Sequence, residues 1–230
     1  PALSGFEWHP FTISSAPERK DAFTIHARTL GDWTERLFCA FRYWNEWKSG
    51  GGANASNLSP RVVERLQSSR DRLPVYIDGP HGAPANDIAN TRVAVLIAAG
   101  IGVTPFASLL QSLVHRAAQG STSELEHVYF IWINRDQTAF EWFNTLLSDL
   151  KERDHRGLFD AHLFVTDPPQ GELPPLTRHG IPDWDSELDA ITDVHLKEQI
   201  GLFYCGPPAL AKIIHRQAAT RGLRFKVEHF

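Results

Sequence analysis

Three short breaks carry the residue types that could do chemistry: Gly100-Ile101-Gly102-Val103-Thr104-Pro105, Asn134-Arg135-Asp136 and Cys205-Gly206-Pro207-Pro208, each directly after an apolar run. In the first, two glycines permit a tight turn and let backbone approach a ligand with no Cβ in the way. Thr104 then suits a helix N-cap and Pro105 its first turn, so free N–H groups and the positive end of a helix dipole face the glycines. That arrangement receives a pyrophosphate. The Gly-x-Gly is not continued to the third glycine of the usual dinucleotide fingerprint, because Pro105 and Phe106 follow. The second is a polar break of an amide, a guanidinium and a carboxylate. The third offers the Cys205 thiol, although a small buried residue at a strand end is the commoner fate of a lone cysteine. A fourth group, His9-Pro10-Phe11-Thr12 with Ser14 and Ser15, places hydroxyls along an alternating stretch near the start.

The elements that must position these groups are legible on either side of them. Residues 92–99 form a nearly unbroken apolar run of strand length, as in a strand buried on both faces of a parallel sheet. Phe106, Leu109, Leu110, Leu113, Val114 and Ala117 then recur on one helical face. Strands at 128–133, 158–166, 200–204 and 223–227 alternate with helices at 138–152 and 209–220, the latter closed by Gly222. Alternation of this kind predicts a doubly wound parallel sheet with right-handed crossovers. All three breaks then lie at the carboxyl ends of strands, where such sheets bind ligands. Residues 167–184 read as a Pro/Gly-rich connection.

Before residue 92 the pattern changes. Residues 9–17 and 22–29 alternate as short strands, and Gly31-Asp32-Trp33-Thr34 turns into a helix with Leu37, Phe38, Phe41 and Trp44 on its apolar side. Residues 48–59 have the Gly/Ser/Asn/Ala composition of a flexible loop, and 61–72 a charged helical pattern, so 48–72 is expected to be poorly ordered or a mobile lid. A strand from Val75 stops in Gly79-Pro80-His81-Gly82. The predicted boundary therefore separates residues 1–88, a small antiparallel sheet with a capping helix, from residues 89–230, the α/β domain.

Length and charge bound the rest. With 230 residues the chain holds one large domain or two small ones. A formal charge of −4 gives no electrostatic reason for nucleic acid as a partner. Cys39 and Cys205 are isolated, with no CxxC or Cys/His ligand spacing, which fits a reduced compartment and argues against a structural metal. No apolar run is long enough to cross a bilayer as a helix. The chain has no methionine and opens almost directly in a motif, as a piece of a longer protein would.

Together, HPFTISSAPE (9–18), RTLGDWT (28–34), IDGPHG (77–82), AAGIGVTPFASLL (98–110), FIWINRDQTAFEWF (130–143), FYCGPPALA (203–211) and a terminal phenylalanine resemble the dehydrogenase domain of the NADPH oxidase family. The likeness is strongest to its calcium-regulated type, within the wider ferredoxin-reductase and ferric-reductase group. The resemblance implies a flavin-binding barrel, here lacking its first strands, followed by an NADPH-binding domain. It implies FAD and NADPH as cofactors and hydride transfer from one to the other. Electrons would then pass singly to haem in a transmembrane domain upstream and on to oxygen as superoxide, placing this part at the cytoplasmic face of a membrane. A calcium-binding regulatory domain is a further implied partner.

By the same resemblance His9, Pro10, Phe11 and Thr12 border the flavin, with Ser14, Ser15 and His26 beyond and Thr12 at the flavin N5. Arg28, Trp33 and Thr34 match the FAD pyrophosphate segment, and Gly79, Pro80, His81 and Gly82 the turn beside the cofactors, with histidine where the family usually has tyrosine. Gly100, Gly102, Thr104 and Pro105 match the NADPH turn, and Asn134 and Arg135 the adenosine-phosphate side. Cys205, Gly206 and Pro207 match the nicotinamide wall, and Phe230 the terminal aromatic that covers the flavin. Related oxidases carry Gly-Arg-Pro in the late loop, where this chain has Gly180-Ile181-Pro182, so Arg178 or Arg135 is left to grip the 2′-phosphate. A soluble flavin reductase would use the same site, and a nucleotide-sensing domain would keep the glycine turn without the motif at His9.

Overall fold

A computed structural model describes residues 9–68, 87–88, 91–118, 124–154 and 157–228. The predicted strand after Val75, its Gly79-Pro80-His81-Gly82 turn and Phe230 lie outside them. The chain divides into two compact units, Pro1–Phe11 with Ala27–His81 and Thr12–His26 with Gly82–Phe230. The segment Thr12–His26 thus belongs with the second unit, although the sequence pattern groups it with residues 1–88.

The second unit is built on a six-stranded parallel sheet in the order β4-β3-β2-β1-β5-β6. The strands are β1 (Val93–Ala99), β2 (His127–Asn134), β3 (Phe159–Val165), β4 (Thr177–His179), β5 (Ile200–Cys205) and β6 (Arg224–Glu228). All of β1 is buried, because it lies between β2 and β5 and is covered on both faces. Its side chains alternate accordingly. Ala94, Leu96 and Ala98 join Phe130 and Trp132 of β2 in a core with α3 (Thr104–Ala118) and α4 (Glu141–Arg153). Val93, Val95, Ile97 and Ala99 face the other way, into a core with α5 (Trp184–Thr192) and α6 (Pro208–Arg221). α6 starts with Pro208 in its first turn and ends at Gly222, whose φ of 69° is the left-handed C-cap that glycine adopts without a Cβ penalty.

β4 lies inside residues 167–184, which the sequence reads as a Pro/Gly-rich connection, and α5 starts at the last of them in a stretch to which the sequence reading assigns no element. β4 is only a three-residue edge strand, and α5 is capped by Asp183, whose side chain accepts from the Asp185 N–H. Glu187 of α5, with a side chain only 10% exposed, accepts from His162 of β3 and from Arg178 of β4 at 2.8 Å. The hydrogen bond from His162 holds the Glu187 carboxyl below the usual carboxylate range against the opposing effect of burial, with His162 and Arg178 charge adding to it. A depressed carboxylate contributes stability above its ordinary value of 4.5 and loses it as pH falls through the lower folded value. Glu187→Gln is therefore expected to cost about 2 kcal/mol at neutral pH, with the gap from wild type closing in acid below pH 4.5, as read by urea melts across pH.

The segment Thr12–His26 is a hairpin with one antiparallel bridge, Ile13 to Ile25, instead of the two strands expected from its alternation. Polar contacts fasten it. The Ser14 hydroxyl donates to the Thr24 carbonyl at 3.0 Å and accepts from His26 Nδ1 at 2.7 Å, and the Ser15 hydroxyl accepts from the Thr24 N–H. From α3, Ser108 donates to the Ser15 carbonyl, Gln111 to the Ser14 carbonyl, and Ser112 and Arg116 to Glu18. His26 stacks on Trp142 of α4 at 3.6 Å.

The described part of the first unit is a helical pair, α1 (Asp32–Lys48) and α2 (Pro60–Ser68). Its buried seam is Cys39, Ala40, Tyr43 and Leu66, with Trp44 beside them, whereas Phe38 and Phe41 face outward. Tyr43 accepts from Gln67 at 2.8 Å, and Ala53, Ala55 and Leu58 of the connecting loop pack on the seam. That packing anchors a loop whose composition alone reads as unanchored. Among the described residues no helix is long and apolar enough to cross a membrane.

Candidate functional site

The chain leaves β1, builds outward through β2, β3 and β4, then returns to place β5 on the other side of β1. The order reverses between β1 and β5, and in open parallel sheets that reversal opens a crevice at the carboxyl ends. Two predicted breaks meet there. Residues Gly100–Val103 form a single 3₁₀ turn that runs straight into α3. Gly100 has a φ of 59°, which the turn out of β1 requires. The first N–H groups of such a run have no partner within it. No acidic residue lies in the 3₁₀ turn or the first turn of α3, so the dipole end is open to an anion.

The residues of these turns also have structural parts. A Cβ on Gly102 would sit 2.3 Å from the Cys205 carbonyl oxygen, so the closure of β1 against β5 itself requires glycine at this position. Gly206 is confined in the same way, by the Tyr204 hydroxyl and the Ala99 Cβ. Thr104 is the first residue of α3 and not its cap: its hydroxyl donates back to the Ile101 carbonyl, and both it and Pro105 are buried. Ile101 is the exposed side chain of the turn. The Cys205 thiol is fully buried in the α3/α4 core, and burial pushes it up to about 12, so it stays protonated and offers no surface for substrate contact. What Cys205 brings to the crevice is its backbone.

Trp132 of β2 is the positioning residue the sequence conceals. It is 1% exposed and donates from Nε1 to the Gly100 carbonyl at 3.0 Å, fixing the turn from the neighbouring strand. A tryptophan inside an apolar strand signals only core, so nothing in its type or spacing announces this role.

Farther along the carboxyl edge, Asn134 and Arg135 leave β2. The Asn134 side chain accepts from the Arg135 N–H, and the ladder continues past the strands through Thr166 N–H to Asn134 and Asp167 N–H to Arg135. Arg135 and Asp167 thereby stand side by side, 3.7 Å apart. Arg178 lies over the Phe164 ring on the α5 face, paired with Glu187.

In the first unit, Trp33 packs against His9 at 4.1 Å and Phe11 at 6.0 Å between ring centroids. The Trp33 indole N–H is buried without a hydrogen-bond partner among the described residues, an orphan that a bound polar group would satisfy. Thr34 accepts from the Leu30 N–H and donates to the Gly31 carbonyl, closing the start of α1. Asp32 and Glu35 occupy that first turn, so the positive end of the α1 dipole is met by its own carboxylates, and Arg28 ahead of it is exposed. Pro10 is exposed and Thr12 half-buried, while Ser14, Ser15 and His26 spend their polar atoms on the hairpin. Burial pushes the His26 imidazole down, toward its neutral form.

Residues 91–172 and 177–219 match the family model of the ferric reductase NAD binding domain, which covers more than half of the chain. Residues 1–85 match an FAD-binding domain. Human NADPH oxidase 5 is 34% identical over the whole chain and human NADPH oxidase 3 is 35% identical over 98% of it. The chain spans 37% and 41% of the length of those two relatives. An Amycolatopsis cytochrome P450 reductase shares the fold, with a TM-score of 0.51 at 17% identity, covering 96% of this chain and 55% of that one.

Proposed function

We propose that this chain, which belongs to the ferric reductase NAD binding domain family, is the dehydrogenase part of a superoxide-generating NADPH oxidase. The observation that carries the reading is the turn Gly100–Val103 at the point of strand reversal, with an acid-free helix start behind it, in a chain whose first 85 residues match an FAD-binding domain. The donor set fits a dinucleotide: main-chain N–H groups for the diphosphate, an apolar Ile101 beside them and a guanidinium at the far end of the edge. The orphaned Trp33 indole fits a flavin in the first unit.

When bound, the nicotinamide supplies a hydride and the flavin accepts it, then releases electrons one at a time. The protein's own work is to hold and exclude. N–H groups of the Gly100 turn grip the diphosphate, and Trp132 keeps that turn from shifting. Gly102 and Gly206 let the β1 and β5 ends close, which narrows the floor of the crevice. By the family resemblance, Thr12 would donate toward the flavin. A haem domain in the membrane, upstream in the full-length protein, would take the electrons at the cytoplasmic face.

The test is anaerobic reduction. FAD-loaded protein is expected to lose its visible flavin band on adding NADPH and to regain it with air. Failure to take up flavin even at high FAD sinks the enzyme reading, and uptake without bleaching leaves a nucleotide-sensing domain.

A further inference from the structure

The carboxyl edge beyond β2 is poor in positive charge. Residues 135–140, 166–176 and 180–183, which leave the ends of β2, β3 and β4, contain a single Lys or Arg, Arg135, against Asp136, Asp167, Glu172 and Asp183. Ile181, 75% exposed, adds no charge. Arg178 is nearby in sequence but is held on the α5 face by Glu187, whose side chain is 10% exposed and also accepts from His162. Releasing it for a ligand would leave a largely buried carboxylate with one partner fewer, a costly exchange. Arg135 is 74% exposed and shares the edge with Asp167, whose carboxylate stands 3.7 Å from its guanidinium.

A ribose 2′-hydroxyl is bound by an acidic acceptor at this edge of a doubly wound sheet, and a 2′-phosphate by an arginine. Here both stand together. We infer that Asp167 sets the nucleotide preference of the site: it engages Arg135 and offers a carboxylate to an unmodified ribose, so that dinucleotides with and without the 2′-phosphate bind with similar affinity. This inference rests on the functional reading above and extends it to the selectivity of that site.

Equilibrium binding tests it without turnover, using NAD⁺, NADP⁺ and the fragments 5′-ADP and 2′,5′-ADP as probes in calorimetric titrations. Wild type is expected to bind NAD⁺ and NADP⁺ within about threefold of each other. Asp167→Asn keeps the shape, removes the negative charge and frees Arg135. It should tighten NADP⁺ and 2′,5′-ADP about tenfold and leave 5′-ADP unchanged or weaker, the loss of one repulsive and one competing contact at a charge-assisted site. Arg135→Ala should weaken 2′,5′-ADP and spare 5′-ADP. A wild-type preference for NADP⁺ of more than about thirtyfold, or an Asp167→Asn variant with an unchanged NADP⁺/NAD⁺ ratio, overturns the inference and leaves the dehydrogenase reading standing. Binding of neither dinucleotide overturns both.

Discussion

Gly102→Ala is expected to destabilise the second unit by about 3 kcal/mol, at the upper end of overpacking costs, and to abolish nucleotide binding. The added methyl would meet the Cys205 carbonyl oxygen at 2.3 Å, its carbon at 2.6 Å and the Gly206 nitrogen at 2.9 Å. All three are backbone atoms between β5 and α6, and none can rotate away. Relief requires β1 and β5 to part at their carboxyl ends, where the crevice lies. A melting-temperature drop of roughly 10 °C is the thermal equivalent for a unit of this size. Gly222→Ala is the control. Its φ of 69° strains alanine, but its Cβ would meet nothing within 4 Å, so it should cost about 1 kcal/mol and leave nucleotide affinity intact. If the two variants melt alike and bind alike, steric closure at Gly102 is not what the turn depends on.

Trp132→Ala is expected to cost about 4 kcal/mol, in the range for emptying a large aromatic site. The ring packs edge-on to Phe140 at 4.7 Å and Phe143 at 5.1 Å, between β2 and α4. Trp132→Phe separates packing from positioning. It keeps much of the ring but leaves the Gly100 carbonyl without its indole donor, about 1 kcal/mol for a neutral hydrogen bond. Nucleotide affinity in the phenylalanine variant should fall several-fold although the fold persists, because the turn then rests on its own backbone. Unchanged affinity with reduced stability would make Trp132 a core residue and nothing more.

These two residues show what the sequence yields and what it withholds. β1, β2, β3 and β5 stand out because strands covered on both faces must be apolar throughout, and every residue of β1 and β5 is buried. Gly222 closes α6 where its residue type predicts. β4 escapes because three residues cannot show a period, and α5 because its start signal, Asp183, lies within a proline-rich stretch. The Ser/Thr alternation of residues 9–29 suggests strands, yet those side chains bond their own hairpin and its neighbours, and only one bridge forms. In α1 the apolar spacing selects Phe38 and Phe41, whereas Ala40 and Tyr43 are the residues buried with Leu66 of α2. At the site, the sequence locates the turns correctly along the strand ends. It does not show the close approach of Gly102 to Cys205, which are far apart in the chain and leave no trace of it in either segment alone.

The docked hairpin limits how this protein can be recombined with its relatives. Exchanging everything ahead of residue 82 at a single crossover would carry away residues 12–26 and leave Ser108, Gln111, Ser112 and Trp142 facing a foreign partner. Such contacts are coupled, so their losses do not simply add. A chimaera that keeps residues 12–26 with the sheet that holds them should therefore tolerate a much more distant first unit than one cut where the family matches divide.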